Sequence, residues 1–302
     1  MKLKALNYHS KRTLSILLLF LFLNLFSQKI TIENKSNTTI EIKYKTNRVK
    51  LKEGEKKIIS EKEINELSIE YNSEKNLIIK YIPILLNSDE TLSLTIDNYD
   101  KTIEFKGDKV ALHNLVVNQQ HYILYENIGK YQDILYKKRS PKELMNFSEF
   151  VLSDYLNKIK TLNTSSLGME DKIYKRIEKY VINDWIVSLY LVFTGSKTLD
   201  LQSRELVLYY FNKYVKKDVE NYSCQYKLQY NIIIELAKYV DQLNIALPKY
   251  TIVENTGDNV INQYLPPSCQ RFYFSEKYKY FKNINSSEKE YYNNVLKEKF
   301  NN

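Results

Sequence analysis

The chain has 302 residues, with 45 Lys and Arg against 36 Asp and Glu for a formal charge of +9, and 43% of its residues are hydrophobic. That apolar share suffices for packed cores in one large domain or two. Its three His and two Cys leave little for metal or thiol chemistry.

Residues 1–27 read as a cleaved secretory signal. Lys2, Lys4, Lys11 and Arg12 precede an apolar run, Leu14 to Phe26, broken only by Ser15 and Asn24, and Ser27 supplies a small residue at the exit. The run is shorter than the roughly 20 apolar residues a membrane-spanning helix needs, so no membrane span is expected after cleavage. Localisation is therefore expected to be periplasmic or secreted. Loss of those four basic residues brings the +9 down to about +5. The remaining Lys and Arg are interleaved with acids, and the densest runs, Lys137-Lys138-Arg139 and Lys216-Lys217, fall at predicted helix ends, where they suit the helix dipole. A nucleic-acid partner, which calls for a concentrated basic stripe, is not expected. The 27 Tyr accompany an excess of Asn, Lys and Ile, a bias that A/T-rich codons produce, so their number alone does not signal a stacking surface.

From 28 to 107 the sequence alternates with the period of strands: Ile30-Thr31-Ile32, Ile40-Glu41-Ile42-Lys43-Tyr44, Val49-Lys50-Leu51, Leu67-Ser68-Ile69-Glu70-Tyr71, Leu92-Ser93-Leu94-Thr95-Ile96 and Ile103-Glu104-Phe105. Turn-prone clusters such as Asn34-Lys35-Ser36-Asn37 and Glu53-Gly54-Glu55 separate them. Seven or eight short strands at this spacing predict a small antiparallel β-sandwich or open barrel, with a central strand in the more continuously apolar Leu77–Leu86.

At Gly107 the period becomes helical, and residues 108–302 are expected to form an all-α bundle, giving an α+β chain. Asp108 is the expected N-cap of a first helix carrying Val110, Leu112, Leu115, Val116, Ile123 and Leu124. Ser140-Pro141-Lys142-Glu143 opens the next, with Leu144, Phe147, Phe150, Val151 and Tyr155 on its buried side. A third helix, about 170–194, is apolar nearly all round from Trp185 to Phe193 and should be central; Gly195 ends it. Further helices are expected at 201–216, 225–243 and 287–300. Between Leu247 and Phe281, Pro248, Pro266 and Pro267 predict irregular chain.

The most specific pattern is Ile82-Pro83-Ile84-Leu85-Leu86, Asn87-Ser88-Asp89-Glu90, Leu92 to Ile96, then Ile103 to Gly107 entering a helix with Ala111 and Asn114. Over roughly residues 30–215 this resembles the N-terminal region of exported thioredoxin-family proteins of Bacteroidota-type bacteria. The resemblance implies a β domain and a helical segment that serve as a scaffold. In that family the redox chemistry belongs to a C-terminal thioredoxin fold with Cys-x-x-Cys, a motif missing from this sequence, and Cys224 and Cys269 do not map onto it. Oxidoreductase activity is therefore not carried over.

No catalytic residues, cofactor or metal are expected. His113 and His121, eight residues apart on one helix, would stand about 12 Å apart, too far to share a metal, and read as surface or half-buried residues. No Gly-x-Ser-x-Gly elbow occurs, and Gly195-Ser196-Lys197-Thr198 follows a helix rather than the strand that a phosphate loop needs. Cys224 and Cys269 form an even pair in an exported chain; a structural disulfide and two unpaired thiols both remain open. Tyr222, Tyr226 and Tyr230 recur on one helix face as packing. Arg271, Phe272, Tyr273, Phe274, Tyr278 and Tyr280 could form a sugar- or peptide-binding platform, or could pack the C-terminal tail onto the bundle. The function expected first is a non-enzymatic interaction or scaffold role toward an envelope protein. A redox-linked accessory protein using Cys224 and Cys269 is the second reading, and binding of a glycan or peptide the third.

Overall fold

The computed structural model describes residues 27–73, 76–97, 103–118, 126–163, 171–193, 197–220, 224–253 and 256–300. Residues 1–26, His121, Ile123, Leu124, Gly195, Ser196 and Tyr222 lie outside them, and with them most of the expected signal segment.

Among the described residues, eight strands form two four-stranded sheets. Strands β1 (Gln28–Asn34), β4 (Lys56–Glu61), β7 (Thr91–Ile96) and β8 (Glu104–Gly107) make the first, in the order β4-β1-β7-β8. Strands β2 (Ile40–Tyr44), β3 (Asn47–Leu51), β5 (Glu66–Ser73) and β6 (Asn76–Pro83) make the second, in the order β3-β2-β5-β6. The period-2 pattern does what it predicts: Ile30, Ile32, Leu92 and Leu94 of one sheet meet Ile40, Ile42, Leu67 and Ile69 of the other in one buried core. The sandwich is not wholly antiparallel, because β1 pairs β7 in parallel, Lys29 opposite Thr91. Five strands intervene between the two, enough chain for the crossover that a parallel pair requires.

The strand expected to be central, β6, is instead an edge of its sheet. Its apolar character has another cause: one face joins the sandwich core through Ile82, and the other is covered by a helix. The same run continues as Ile84, Leu85 and Leu86, all fully buried. Alternation sends Ile84 and Leu86 into the sandwich core and Leu85 into the helical core, so this short segment is where the two cores meet.

The helices are α1 (Val110–His113), α2 (Ile128–Gln132), α3 (Pro141–Asn163), α4 (Asp171–Phe193), α5 (Leu201–Tyr210), α6 (Lys216–Glu220), α7 (Lys227–Ala237), α8 (Val240–Leu243), α9 (Asp258–Tyr264), α10 (Pro267–Asn283) and α11 (Glu288–Phe300). Wider π-type turns continue α1, α2 and α5 at Asn114–Asn118, Asp133–Lys138 and Phe211–Val215. Helix α4 is central, with Trp185, Ile186, Leu189 and Tyr190 buried. On α3, Phe150 is exposed rather than buried: it falls at the margin of the stripe, and Leu152 and Ile159 complete the face instead. Asp108 does not cap α1; its carboxylate accepts the backbone N–H of Thr91 at 2.7 Å and so ties the β8–α1 turn to β7. The expectation of irregular chain before Phe281 fails at α10, because Pro267 occupies the first helical position, where the missing N–H is no loss.

Helix α7 divides its side chains between two cores. Leu228, Ile232 and Leu236 face the core around Trp185, while Tyr230, Ile233, Ile234 and Ala237 face a second one with α9, α10 and α11. Among the described residues no helix is long and apolar enough to cross a membrane.

Candidate functional site

The outer face of the second sheet carries the residues opposite in phase to its core: Glu41 and Lys43 from β2, Arg48 and Lys50 from β3, Glu66, Ser68 and Glu70 from β5. On this face the charges are paired. Lys43 Nζ lies 2.6 Å from Glu70, and Glu41 holds Arg48 at 3.0 Å, with Lys43 and Lys50 at 3.8 and 3.9 Å. At the β6 side the face turns apolar and helix α10 lies over it. Tyr81 meets Phe272 edge to face at 5.7 Å, and the Asn283 side-chain oxygen accepts the Leu77 N–H at 2.7 Å. Helices α10 and α11 thus wall a groove floored by the sheet. Its outer part has a volume of about 400 Å³ and reaches Tyr278, Lys282, Asn293 and Lys297. Its inner part, about 170 Å³, ends at Glu66, Tyr81 and Arg271.

Glu66 sits where the sandwich meets the helices. Its carboxylate accepts the backbone N–H of Lys227 at 3.3 Å, in the first turn of α7. Burial pushes its carboxyl up to about 7, against the lowering effect of that N–H and of the Arg271 and Lys227 charges. Beyond it, Lys227 Nζ is buried, 2.8 Å from Glu276 and 4.2 Å from the ring centre of Tyr230. Burial lowers the Lys227 ammonium, and Glu276 opposes the shift. The Tyr81 hydroxyl is raised by burial and by the surrounding carboxylates Glu276, Glu66 and Glu70. A further cavity of about 420 Å³ opens on the far side, between β6, α4 and α7. The cluster can hold or release a proton at Glu66 near neutral pH. Its hydrogen bonds and ion pair otherwise join strand β5 to α7 and α7 to α10.

A second clamp crosses the same junction. Arg176 of α4 donates to Glu63 (2.7 Å) and Asn65 (2.9 Å), and to the carbonyls of Ile84 (3.3 Å) and Leu86 (3.1 Å). A guanidinium can serve four acceptors in a plane, which a lysine cannot.

The residues singled out in the sequence do not assemble into one platform. Phe272, Tyr273 and Phe274 are buried in the second helical core, whereas Tyr280 is 36% exposed. Successive residues of a helix point about 100° apart, so six clustered positions on α10 cannot share a face. Arg271 and Tyr278, two turns apart, do share one and line the inner and outer parts of the groove. Cys224 and Cys269 are joined as a disulfide, with Cα atoms 5.0 Å apart and both residues buried, linking the start of α7 to the first turn of α10. The Cys224 N–H also donates to Ser268 Oγ at 2.8 Å.

His113, expected near the surface, is fully buried. Its Nε2 accepts the Leu85 N–H at 3.1 Å, and its Nδ1 stands 2.9 Å from the Lys109 carbonyl, to which it donates as the neutral tautomer. Burial depresses it to about 4, against the pull of that carbonyl and helped by the Lys109 charge. Among the described residues no cluster of His, Cys, Asp or Glu could hold a metal ion. Lys137 and Lys138 pair with Asp133 (2.7 Å) and Glu143 (2.8 Å).

Glu66 escaped the sequence reading because alternation places it on the polar face of β5, and only α7 and α10, far along the chain, bury it. Lys227 did leave a signal: it stands in one helical stripe with Tyr230 and Ile234, where an ammonium must find a carboxylate. Comparison with known proteins finds no matching family model, no matching curated protein and no matching solved structure.

Proposed function

We propose that the protein is exported and acts in the cell envelope as a non-catalytic interaction protein, its partner seated in the groove on the outer face of the second sheet. The observation that carries this reading is the construction of that groove. A sheet face covered with paired charges lies open beside α10 and α11, and α10 is held in place by the Glu66–Lys227–Glu276 chain and by the Cys224–Cys269 disulfide. A preorganised polar surface of this kind suits recognition, because little ordering remains to be done on binding. Glu66 and Lys227, whose protonation is displaced, are engaged in joining elements of the fold. The basic start and apolar run of residues 2–26 support export, and the resemblance to the scaffold region of exported thioredoxin-family proteins agrees with a presenting role. Burial of both cysteines weighs against an exchangeable redox pair, and burial of Phe272, Tyr273 and Phe274 against an aromatic glycan platform.

The test is site-specific photo-crosslinking in cells. A photoreactive residue at Lys50, in the groove, should give a discrete adduct in the envelope fraction. The same residue at Ile58, an exposed position on the other sheet, should not. Equal labelling from both positions would sink the proposal.

A further inference from the structure

We propose that the free edge of the second sheet, strand β3, receives an extended peptide with alternating acidic and apolar side chains as an added fifth strand. This names the chemistry of the partner and rests on the interaction reading above.

The two edges of the sheet differ. Strand β6 is covered by α10, whereas among the described residues β3 pairs with β2 alone. The Leu51 carbonyl at the end of β3 is taken by the Asn34 side chain at 3.0 Å. Among the described residues, no further partner engages the backbone of Asn47–Lys50. An edge of this kind is a template for strand addition, in which main-chain bonds supply affinity and alternate side chains supply specificity.

The side chains of β3 define what can be added. Arg48 and Lys50 lie on the groove face, while Val49 and Leu51 turn toward the sandwich core. A strand laid beside them meets cations on one face and apolar surface on the other. The groove extends the cationic side: five Lys and Arg line it against two carboxylates, Glu41 and Glu70, which are already paired to Lys43 and Arg48. Lys282 and Lys297, on α10 and α11, have no carboxylate at ion-pair distance among the described residues. The same charges discourage a second copy of β3 from pairing with this edge, so the pattern rejects the chain's own edge while accepting an acidic one.

The test uses the mature chain and fluorescein-labelled peptides. A six-residue peptide alternating Glu and Val should bind, at least tenfold more tightly than its Lys and Val counterpart. Methylation of every second backbone nitrogen along its pairing edge should weaken it at least tenfold. The double variant Lys50→Glu, Lys297→Glu should reverse the preference between the two peptides; both positions are exposed, so the fold is retained. Equal binding of the methylated peptide, or an unchanged preference in the variant, would overturn the proposal. So would binding of polygalacturonate that the acidic peptide does not displace, which would assign the groove to an acidic glycan. If no peptide binds while the crosslink at Lys50 still forms, strand addition is wrong and the interaction reading stands.

Discussion

The carboxylate of Glu66, on strand β5, accepts the backbone N–H of Lys227, 161 residues away, and so supplies from the sheet a partner for an orphan donor at the start of α7. This bond spans the junction of sandwich and helices, and its strength depends on the charge of a group raised to about 7.

The first prediction concerns that charge. The folded-state value of Glu66 is raised above its ordinary 4.5, so between about 4.5 and 7 the native state binds the extra proton. Its contribution to stability is fully present below pH 4.5 and is lost as pH rises through 7. Glu66→Gln keeps an oxygen acceptor for the Lys227 N–H and cannot ionise. The variant should match the parent in urea unfolding near pH 4.5 and exceed it above pH 7 by on the order of 2 kcal/mol, after screening is allowed for. A constant difference across this range would show that Glu66 does not titrate there.

His113 gives the opposite slope. Its folded-state value is lowered from 6.5 to about 4, so the unfolded chain binds the extra proton between those limits. The stability it contributes is present above pH 6.5 and lost as pH falls toward 4. Replacement by Ala leaves the Leu85 N–H buried without its acceptor, at about 1–3 kcal/mol at pH 7.5. The difference between His113→Ala and parent should shrink steadily on acidification to pH 4.5. A difference that widens on acidification would contradict a neutral buried imidazole.

How much of this was legible in the sequence depends on how local its cause is. Strands such as β1, β2 and β7 follow from alternation within five or six residues, and Ser140-Pro141 announces the start of α3 through a local hydrogen bond, 3.3 Å from Ser140 Oγ to the Glu143 N–H. The parallel pairing of β1 with β7 and the edge position of β6 are decisions among distant strands, which alternation does not encode. Pro267 misled because a proline that breaks a helix interior is the same residue that favours its first turn. The groove was half legible: Arg271 and Tyr278 stood in the cluster singled out, but the sheet residues they face, Glu70 and Lys43, look in sequence like any solvated strand face.

The Cys224–Cys269 link closes a 45-residue separation. In the loop-closure picture that is about 4 kcal/mol, and measured losses commonly fall at 2–4 kcal/mol. The double variant Cys224→Ala, Cys269→Ala should lose about that much in urea unfolding. In the parent, both sulfurs should resist a mild dithiol and a thiol label under native conditions and react only in denaturant, because both are buried. Rapid native labelling after mild reduction would instead favour a redox role.

Gly107 tests whether the turn that ends the sandwich is fixed by sterics. Its φ is +112°, and a Cβ built there would lie 2.6 Å from the Thr91 carbonyl oxygen on β7. Since this is strand backbone rather than a flexible side chain, relief requires β8 to separate from β7 or the turn to change shape. Gly54 is the control, at φ +75° in the turn before β4 with nothing within 4 Å of its added Cβ. Gly54→Ala carries only the left-handed penalty, about 1 kcal/mol. Gly107→Ala carries a conformational penalty and the clash, and should lose at least about 2 kcal/mol more. The loss should come with faster amide exchange at Glu104–Gly107, the residues of β8. Equal losses at the two glycines would mean that φ alone matters, and that the close approach of β7 to the turn is not what demands glycine there.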